Sequence, residues 1–429
     1  MIIVDNLLKK RENEGVTIRV GMLGAGVLAR GITNQIVNST PGMRLVAIAN
    51  RTLANAERAF REAGIEKIET VTNPRALETA ITAGHAAIAE DAELLTGCEL
   101  IDCLVDATGA MEFGARLTMS AIQNGRTFVS MNAELDGTIG PILKRHADKA
   151  GVLLTGSDGD QPGAEMNLYR FVRQLGLTPL VCGNIKGLQD HYRTPATQAE
   201  FARRWGQNPY MVTNFADGTK ISFEQALVAN ATGMTVAKRG MLGYEHAGHV
   251  DEVVTRYDLE MLRELGGIVD YVIGTRPGPG IFVFATHDDP KQRHFLNLYK
   301  LGEGPLYSFY TPYHLCHFEV PISIARAVLL RDPVIQPLAG PRVEVITTAK
   351  RDLKAGDIID RLGGYCTYGQ CETYAVSRAE KLLPIGLAED CRLRRDVPKD
   401  TVLTYDDVER PPGRLIDKLR AEQDAVFPA

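Results

Sequence analysis

Residues 18–31 read Ile-Arg-Val-Gly-Met-Leu-Gly-Ala-Gly-Val-Leu-Ala-Arg-Gly, and this stretch decides the fold of the first part of the chain. An apolar strand runs into Gly24, Gly26 and Ala29 and then into a helix-forming segment. Gly24 permits a sharp turn, Gly26 lets the backbone approach a pyrophosphate, and Ala29 lets the helix pack close to the strand. The helix N-terminus would offer free N–H groups to the phosphates. The stretch therefore predicts a dinucleotide-binding turn.

The end of the second predicted strand, residues 45–49, indicates which dinucleotide binds. An NAD site places Asp or Glu there for the ribose 2′-OH, whereas this chain has Asn50, Arg51 and Thr52. A guanidinium suits a 2′-phosphate, so NADP(H) is favoured. The alternative is that Arg51 is a solvated loop cation. The residues assigned to cofactor binding are Gly24, Gly26, Val27, Leu28, Ala29, Asn50, Arg51, Thr52, Ala107, Thr108, Gly109 and Asn132.

Composition limits the class of protein. The chain has 429 residues, 45% hydrophobic and 24% charged, which is typical of a globular protein of two or three domains. A net charge of −5 without a basic stretch argues against nucleic acid as a main partner. We expect no membrane span and no signal peptide, and a short amphipathic helix at residues 1–10. The seven cysteines form no C-x-x-C pair, which favours reduced thiols and a cytoplasmic location.

The hydrophobic pattern predicts an α/β fold with three domains. Residues 1–156 form a Rossmann domain, in which strands at residues 101–109 and 127–132 end near the cofactor. Residues 157–336 form an α+β catalytic and oligomerisation domain. In it we predict a hairpin over residues 211–222. We also predict an apolar helix at residues 322–330 that packs back on the Rossmann domain.

The last part, residues 337–429, contains two segments of similar sequence. Arg-Asp-Leu-Lys-Ala-Gly-Asp-Ile-Ile at residues 351–359 is similar to Arg-Asp-Val-Pro-Lys-Asp-Thr-Val-Leu at residues 395–403. Each is a polar turn that feeds an apolar strand, which predicts a small pseudo-symmetric β fold. The pattern resembles the SAF domain, a clip-like fold shared with type III antifreeze proteins.

Several polar side chains could carry chemistry. Asp158, Asp160 and Glu165 are three carboxylates near a helix start, where they either cap the helix or face a cleft. Lys186 ends a strand beside a glycine, so its ammonium either reaches a substrate or is exposed. Glu224 begins a predicted helix. The residues assigned to substrate binding, because they could hold an anion, are Asn230, Lys238 and Arg239.

Two His-x-x-His spacings could bind metal, His246 with His249 and His314 with His317. Neither has the glutamate of a zincin motif, so we favour structural roles or substrate contacts.

The chain resembles two related families over nearly its whole length. Asp-Ala-Thr-Gly at residues 106–109 and Ser-Met-Asn-Ala-Glu at residues 130–134 are similar to homoserine dehydrogenases. The later segments at residues 159–162, 228–233, 267–271 and 312–315 resemble more closely the 1-deoxy-D-xylulose 5-phosphate reductoisomerase-like (DRL) enzymes. Homoserine dehydrogenases have a lysine where this chain has Ala133, which argues against homoserine oxidation. Residues 187–193 and 242–250 diverge from the reductoisomerase-like pattern, so substrate specificity stays open.

The resemblance implies NADPH-dependent reductive isomerisation of a ketose phosphate, in a homo-oligomer and with Mg²⁺ or Mn²⁺; a role in isoprenoid biosynthesis would follow. It makes Lys186, Asp160, Glu224 and Glu165 the catalytic candidates, and Asp160 and Glu165 the metal candidates. Two alternatives remain. One is an NAD(P)-dependent dehydrogenase of a hydroxy or sugar acid, with no rearrangement. The other is a non-enzymatic nucleotide or carbohydrate sensor, which would not need the carboxylates or Lys186.

Overall fold

The computed structural model describes residues 3–428. The α-helices are α1 (Asp5–Asn13), α2 (Val27–Ser39), α3 (Leu53–Glu62), α4 (Pro74–Thr82), α5 (Glu93–Thr96), α6 (Met111–Gln123), α7 (Ala133–Ala150), α8 (Gln161–Gln174), α9 (Pro195–Arg204), α10 (Pro209–Ala216), α11 (Thr219–Thr232), α12 (Leu259–Leu265), α13 (Pro290–Leu298), α14 (Cys316–Ala325), α15 (Tyr374–Ala379) and α16 (Leu415–Val426).

The strands are β1 (Ile18–Leu23), β2 (Met43–Ala49), β3 (Ile68–Thr70), β4 (Ala86–Ala89), β5 (Cys103–Asp106), β6 (Thr127–Ser130), β7 (Leu154–Gly156), β8 (Thr178–Lys186), β9 (Tyr244–Glu245), β10 (Ile268–Ile273), β11 (Gly280–Thr286), β12 (Leu306–Thr311), β13 (Val343–Ala349), β14 (Thr367–Thr373), β15 (Arg392–Leu393) and β16 (Val408–Glu409).

The chain divides into two compact units. The nucleotide unit comprises the residues up to Gly163 together with Leu315–Gln336. The mixed-sheet unit comprises Ala164–His314 and the chain from Pro337 onward.

The nucleotide unit contains a seven-stranded parallel sheet in the order β3-β4-β2-β1-β5-β6-β7. The chain leaves β1 toward β2 on one side and places β5 on the other side, so strand order reverses beside β1. In doubly wound sheets, ligands bind at the carboxyl ends of the strands at this switch point. The predicted Rossmann fold and the predicted N-terminal helix, α1, are confirmed.

A late segment of the chain completes this unit. Helix α14 packs against α2, and Val320 and Ile324 join the same buried core as Val20 and Ile32. The apolar helix predicted to pack on the Rossmann domain is confirmed, although it begins earlier, at Cys316, and continues into a π-helical turn over Arg326–Leu330.

The mixed-sheet unit contains a five-stranded sheet in the order β12-β11-β8-β10-β9. Strand β8 pairs in parallel with β10 and antiparallel with β11, so it lies at the centre. Apolar side chains of these strands, including Val181, Ile268 and Phe284, form the core. A central strand has little freedom to shift, and the residues at its end are therefore held in fixed positions.

The predicted hairpin over residues 211–222 is wrong, because these residues form α10 and α11. Asn208 caps α10 through its side chain, and Pro209 occupies the first helical position. Gly218 has a φ of 90°, a left-handed conformation that glycine adopts without steric cost. The apparent turn is thus a helix–helix connection.

The C-terminal part of the mixed-sheet unit is built from short β elements. Strands β13 and β14 pair antiparallel over seven residues each, and β15 pairs with β16. The two similar segments, residues 351–359 and 395–403, contact each other through an antiparallel bridge between Leu353 and Val397. The assignment to the SAF fold and the domain boundaries stay predictions.

Candidate active site

The dinucleotide turn lies between β1 and α2. Gly24 has a φ of 102°, and a Cβ there would lie 2.9 Å from the carbonyl oxygen of Ala107. Gly26 is the N-cap of α2, without a side-chain cap, and a Cβ there would meet nothing within 4 Å. The two glycines therefore have different uses: Gly24 is required by the fold, whereas Gly26 leaves open space before the helix N-terminus. Val27 and Leu28 are half exposed beside this space, and Ala29 is buried. These residues fit a dinucleotide phosphate.

A buried polar cluster lies at the ends of β5 and β6. Asp106 is fully buried, and its Oδ1 accepts from the backbone N–H (2.9 Å) and the hydroxyl (2.7 Å) of Thr108. Asn132 caps α7 and donates to the carbonyl oxygen of Ala110. Burial raises the pKa of Asp106. A Cβ at Gly114 would lie 2.9 Å from Asn132 Nδ2, so this glycine permits the close packing. The cluster fixes the turn at residues 107–109.

The residues after β2 are accessible. Arg51 and Thr52 are exposed, and Asn50 Nδ2 donates to the carbonyl oxygen of Thr52 over 2.8 Å. Within residues 3–428, Arg51 forms neither an ion pair nor a hydrogen bond. Its guanidinium is available to an anion, and its assignment to a 2′-phosphate stays a prediction.

The mixed-sheet unit holds a row of polar side chains, which we call the polar row: the buried Glu165, Gln225, Asn184 and Glu224, and the half-buried Lys220. Gln225 Nε2 donates to Glu165 Oε1 (2.7 Å) and to Asn184 Oδ1 (3.2 Å). Asn184 Nδ2 donates to Glu224 Oε2 (3.1 Å), and Lys220 Nζ lies 3.8 Å from Glu224 Oε1. The row links α8, β8 and α11. Buried polar residues in such a network mark a site or a specificity device rather than a packed core.

Charge is distributed unequally along the polar row. Burial, together with the nearby charge of Glu224, raises the pKa of Glu165 well above its usual range. Burial and the neighbouring carboxylate thus both favour the protonated form of Glu165, as expected when two carboxyl groups share a low-dielectric site.

Lys186 lies at the end of β8, on the same face as Asn184, because side chains two apart in a strand point the same way. Its Nζ donates to the carbonyl oxygen of Phe215 (3.0 Å) and to Gln189 Oε1 (3.3 Å). Burial lowers the pKa of Lys186 to about 8, against the opposing charges of Glu224 and Asp217. A lysine that titrates near neutrality at a strand end is suited to proton transfer.

The carboxylates near the start of α8 have different environments. Asp158 is buried and forms an ion pair with Arg326 at 2.9 Å, and both side chains are almost fully inaccessible. It is thus a structural residue of the nucleotide unit. Asp160 is half-buried in the same unit, and its catalytic role stays a prediction.

Two of the predicted substrate residues have partners within the chain, and their substrate role stays a prediction. Asn230 is buried, and its Oδ1 accepts from the backbone N–H groups of Arg342 (2.6 Å) and Val343 (3.0 Å). Arg239 forms ion pairs with Glu372 (2.7 Å) and Glu380 (2.9 Å). Both side chains bind residues in the C-terminal part of the unit. These partners are more than a hundred positions away, so the sequence pattern does not reveal them. Lys238 is exposed.

The histidines and metal candidates give no ligand set. His246 Nε2 lies 2.9 Å from Glu252 Oε2, and His249 caps a 3₁₀ turn, in agreement with structural roles. No group of three His, Cys, Asp or Glu placed to hold a metal occurs within residues 3–428. Glu165 Oε1 accepts from Gln225, and the assignment of Asp160 and Glu165 as metal candidates stays a prediction.

Sequence reasoning missed Asn184, Gln225 and Asp217. All three are buried, and their type alone suggests solvated surface positions. Two features of the sequence could have indicated them. Asn184 is a polar residue in an otherwise apolar strand, and Glu224 and Gln225 are adjacent polar residues in an apolar helix.

The chain is similar to one known family and to several solved structures. Residues 159–320 match the family described as "Oxidoreductase DRL, catalytic domain". Among solved structures, scyllo-inositol dehydrogenase from Lactobacillus casei with bound NAD(H) and scyllo-inositol is 12% identical, with 75% of this chain and 92% of that chain covered and a TM-score of 0.41. Myo-inositol 2-dehydrogenase from Lactobacillus plantarum is 10% identical, with 74% and 91% covered and a TM-score of 0.41.

An NAD-binding oxidoreductase from Klebsiella pneumoniae is 13% identical, with 41% of this chain and 44% of that chain covered and a TM-score of 0.29. The comparison with curated proteins found no match. None of the helices in residues 3–428 is long and apolar enough to span a membrane.

The Rossmann sheet and the family match are typical of an NAD(P)-binding oxidoreductase. Residues 159–320 are similar to the DRL catalytic domain, which confirms the resemblance to the reductoisomerase-like enzymes over that stretch.

Proposed function

We propose that this protein is an NADP(H)-dependent oxidoreductase in which Lys186 moves the proton that accompanies hydride transfer. The observation that carries the proposal is the position of Lys186 at the end of a central strand, beside a row of buried polar groups. When bound, the nicotinamide supplies the hydride chemistry.

The role of Lys186 follows from its environment. In the direction of carbonyl reduction, the Nζ ammonium donates a proton to the substrate oxygen; in oxidation, the neutral amine accepts it. A pKa of about 8 leaves both forms populated near neutral pH. Phe215 and Gln189 hold Nζ through hydrogen bonds, so the proton is presented from a defined position.

The polar row supports this chemistry by holding charge in place. Glu165 accepts from Gln225, and Asn184 donates to Glu224. The negative charge of Glu224 favours the ammonium form of Lys186. Glu165 and Glu224 thus act on the proton balance of the site.

The substrate is proposed from the resemblance. It is a small anionic polyhydroxylated compound, 1-deoxy-D-xylulose 5-phosphate or a related ketose phosphate, converted by reductive isomerisation. Lys238 remains a substrate candidate, and Asp160 remains a catalytic candidate. NADP(H) rather than NAD(H) is proposed on the exposed Arg51 and the lack of a carboxylate at residues 50–52. A cytoplasmic location is proposed on the cysteine pattern, and a homo-oligomer is proposed on the resemblance.

A second candidate is a dehydrogenase of a hydroxy or sugar acid, without rearrangement. It needs no metal, whereas the rearrangement, as the resemblance implies it, uses a divalent metal.

One assay separates the candidates. Purified protein is mixed with NADPH and 1-deoxy-D-xylulose 5-phosphate, with Mg²⁺, with Mn²⁺ and with chelator, and absorbance at the NADPH band is followed. Consumption that stops with chelator supports the reductoisomerase proposal. Chelator-insensitive reduction of NADP⁺ by sugar acids supports the second candidate. Failure of every arm would contradict both.

A further inference from the structure

Lys350 follows β13 in the C-terminal part of the mixed-sheet unit and is buried. Its Nζ donates to Asp217 Oδ2 (2.9 Å), to the carbonyl oxygen of Arg193 (2.8 Å) and to the carbonyl oxygen of Gly364 (2.8 Å). An ammonium has three donors, and all three are used. Lys350 therefore ties together three segments that are distant in sequence.

One of these segments is the connection between α10 and α11. Asp217 is fully buried, and its Oδ1 accepts from the backbone N–H of Thr219 at the start of α11 (2.9 Å). Two residues earlier, the carbonyl oxygen of Phe215 accepts from Lys186 Nζ. Lys350 is thus linked to Lys186 through a short stretch of backbone, residues 215–217.

A second segment is residues 187–193, which directly follow Lys186. His191 stacks on Tyr368 with ring centroids 4.5 Å apart, and Tyr192 Oη donates to Asp400 over 2.9 Å. The backbone N–H of Asp190 donates to the carbonyl oxygen of Ala216 (2.8 Å). The C-terminal part therefore contacts both segments that border Lys186.

We propose that Lys350 is a positioning residue for the acid–base chemistry of Lys186, because it holds residues 215–217 and 187–193 around the Lys186 ammonium. The inference rests on the proposed function and gives the C-terminal part of the unit a role in it. Without this clamp, the Phe215 carbonyl would no longer have a fixed position beside Lys186 Nζ.

The charges around Lys186 determine the direction of the effect. The charged groups that face it are Glu224 on α11 and Asp217 before α11, and Lys350 neutralises Asp217. Burial raises the pKa of Asp217 and Lys350 opposes this rise, so in Lys350→Met the Asp217 carboxyl takes up a proton more readily. The same substitution loosens the clamp, so water reaches Lys186. Desolvation is the largest influence on the pKa of Lys186 and the charge of Asp217 the smallest of the three, so relief of desolvation raises this pKa from about 8 toward its ordinary value.

The test measures Lys186 directly, without turnover. The full chain is labelled with an amine reagent across pH 6–10, and mass spectrometry gives the labelling rate of Lys186 relative to the exposed Lys67. In Lys350→Met, a rise of about one pKa unit would lower the Lys186 rate at pH 8 by roughly fivefold. Lys354→Met is the matched control, because Lys354 pairs with Asp396 on the exposed surface of the same part of the chain.

A second variant keeps the test informative if Lys350→Met does not fold. Lys350→Arg keeps the charge beside Asp217, but a planar guanidinium cannot repeat the three bonds, so we expect a smaller rise in the same direction. An unchanged Lys186 titration in whichever of the two variants folds would overturn the proposal, even if the melting temperature falls. A shifted titration in a protein that consumes no NADPH would uphold the positioning role while the proposed function fails.

Discussion

Gln225 Nε2 donates to Glu165 Oε1 over 2.7 Å, and neither side chain is accessible to solvent. The burial that holds this pair raises the pKa of Glu165 well above its usual range. The folded protein therefore keeps a proton that the unfolded chain releases above a pH of about 4.3. This proton links the polar row to stability.

Glu165→Gln should become more stable relative to wild type as pH rises. The favourable contribution of the wild-type carboxyl is complete below the unfolded pKa and is lost as pH increases toward the folded pKa. The amide does not titrate, so the difference in unfolding free energy should change by up to about 1.4 kcal/mol per pH unit above pH 5. Urea unfolding at pH 5, 6 and 7 measures it. Glu57→Gln, on exposed α3, controls for loss of a surface carboxyl. A difference independent of pH would contradict the assignment.

The two glycines of the dinucleotide turn should respond oppositely to alanine. Gly24→Ala combines a positive φ with a contact 2.9 Å from the Ala107 oxygen, so it should lower the unfolding free energy by about 1–3 kcal/mol. Gly26→Ala meets nothing within 4 Å and should change stability by less than about 0.5 kcal/mol. Its methyl group would instead fill the space intended for phosphate, so the Kd for NADPH should rise roughly tenfold or more. Wild-type NADPH affinity in Gly26→Ala would argue against the site.

Arg51→Ala should discriminate between the two nicotinamide cofactors. A charge-assisted hydrogen bond contributes roughly 1.5–3 kcal/mol, so the Kd for NADPH should rise about 10- to 100-fold while that for NADH stays the same. Isothermal titration or a thermal-shift series with both cofactors measures this. Arg58→Ala on α3, which removes an exposed pair with Glu62, is the control. Stronger stabilisation of the wild-type protein by NADH than by NADPH would refute the NADP(H) preference.

The sequence predicts the nucleotide unit well because its signals are local. The apolar strand at residues 18–23, the glycines after it and the polar ends of β5 and β6 all lie where the pattern places them. The sequence also predicts that an apolar helix at residues 322–330 packs on the Rossmann domain, and α14 does so. Local pattern and global fold agree here.

Prediction is incomplete where a residue's partner is remote in sequence. The sequence does not show that Asn230 accepts from backbone N–H groups more than a hundred positions later, or that Arg239 pairs with two distant glutamates. The polar row could be foreseen only in part, because Glu165 and Glu224 are conspicuous carboxylates whereas Asn184 and Gln225 resemble ordinary surface residues. Asn184 and Gln225 belong to the polar row because they are buried, and their burial depends on the tertiary fold.

If Lys186 moves the proton in an NADP(H)-dependent reaction, kcat must depend on the protonation state of its Nζ. The pH profile of kcat measures this. For carbonyl reduction, kcat should fall as pH rises through about 8, because the ammonium donor is lost; oxidation should show the opposite trend. Lys186→Met should lower kcat at least about 100-fold, remove this titration and leave the Kd for NADPH unchanged. A Lys186→Met variant that keeps wild-type kcat and the same pH profile would contradict the claim.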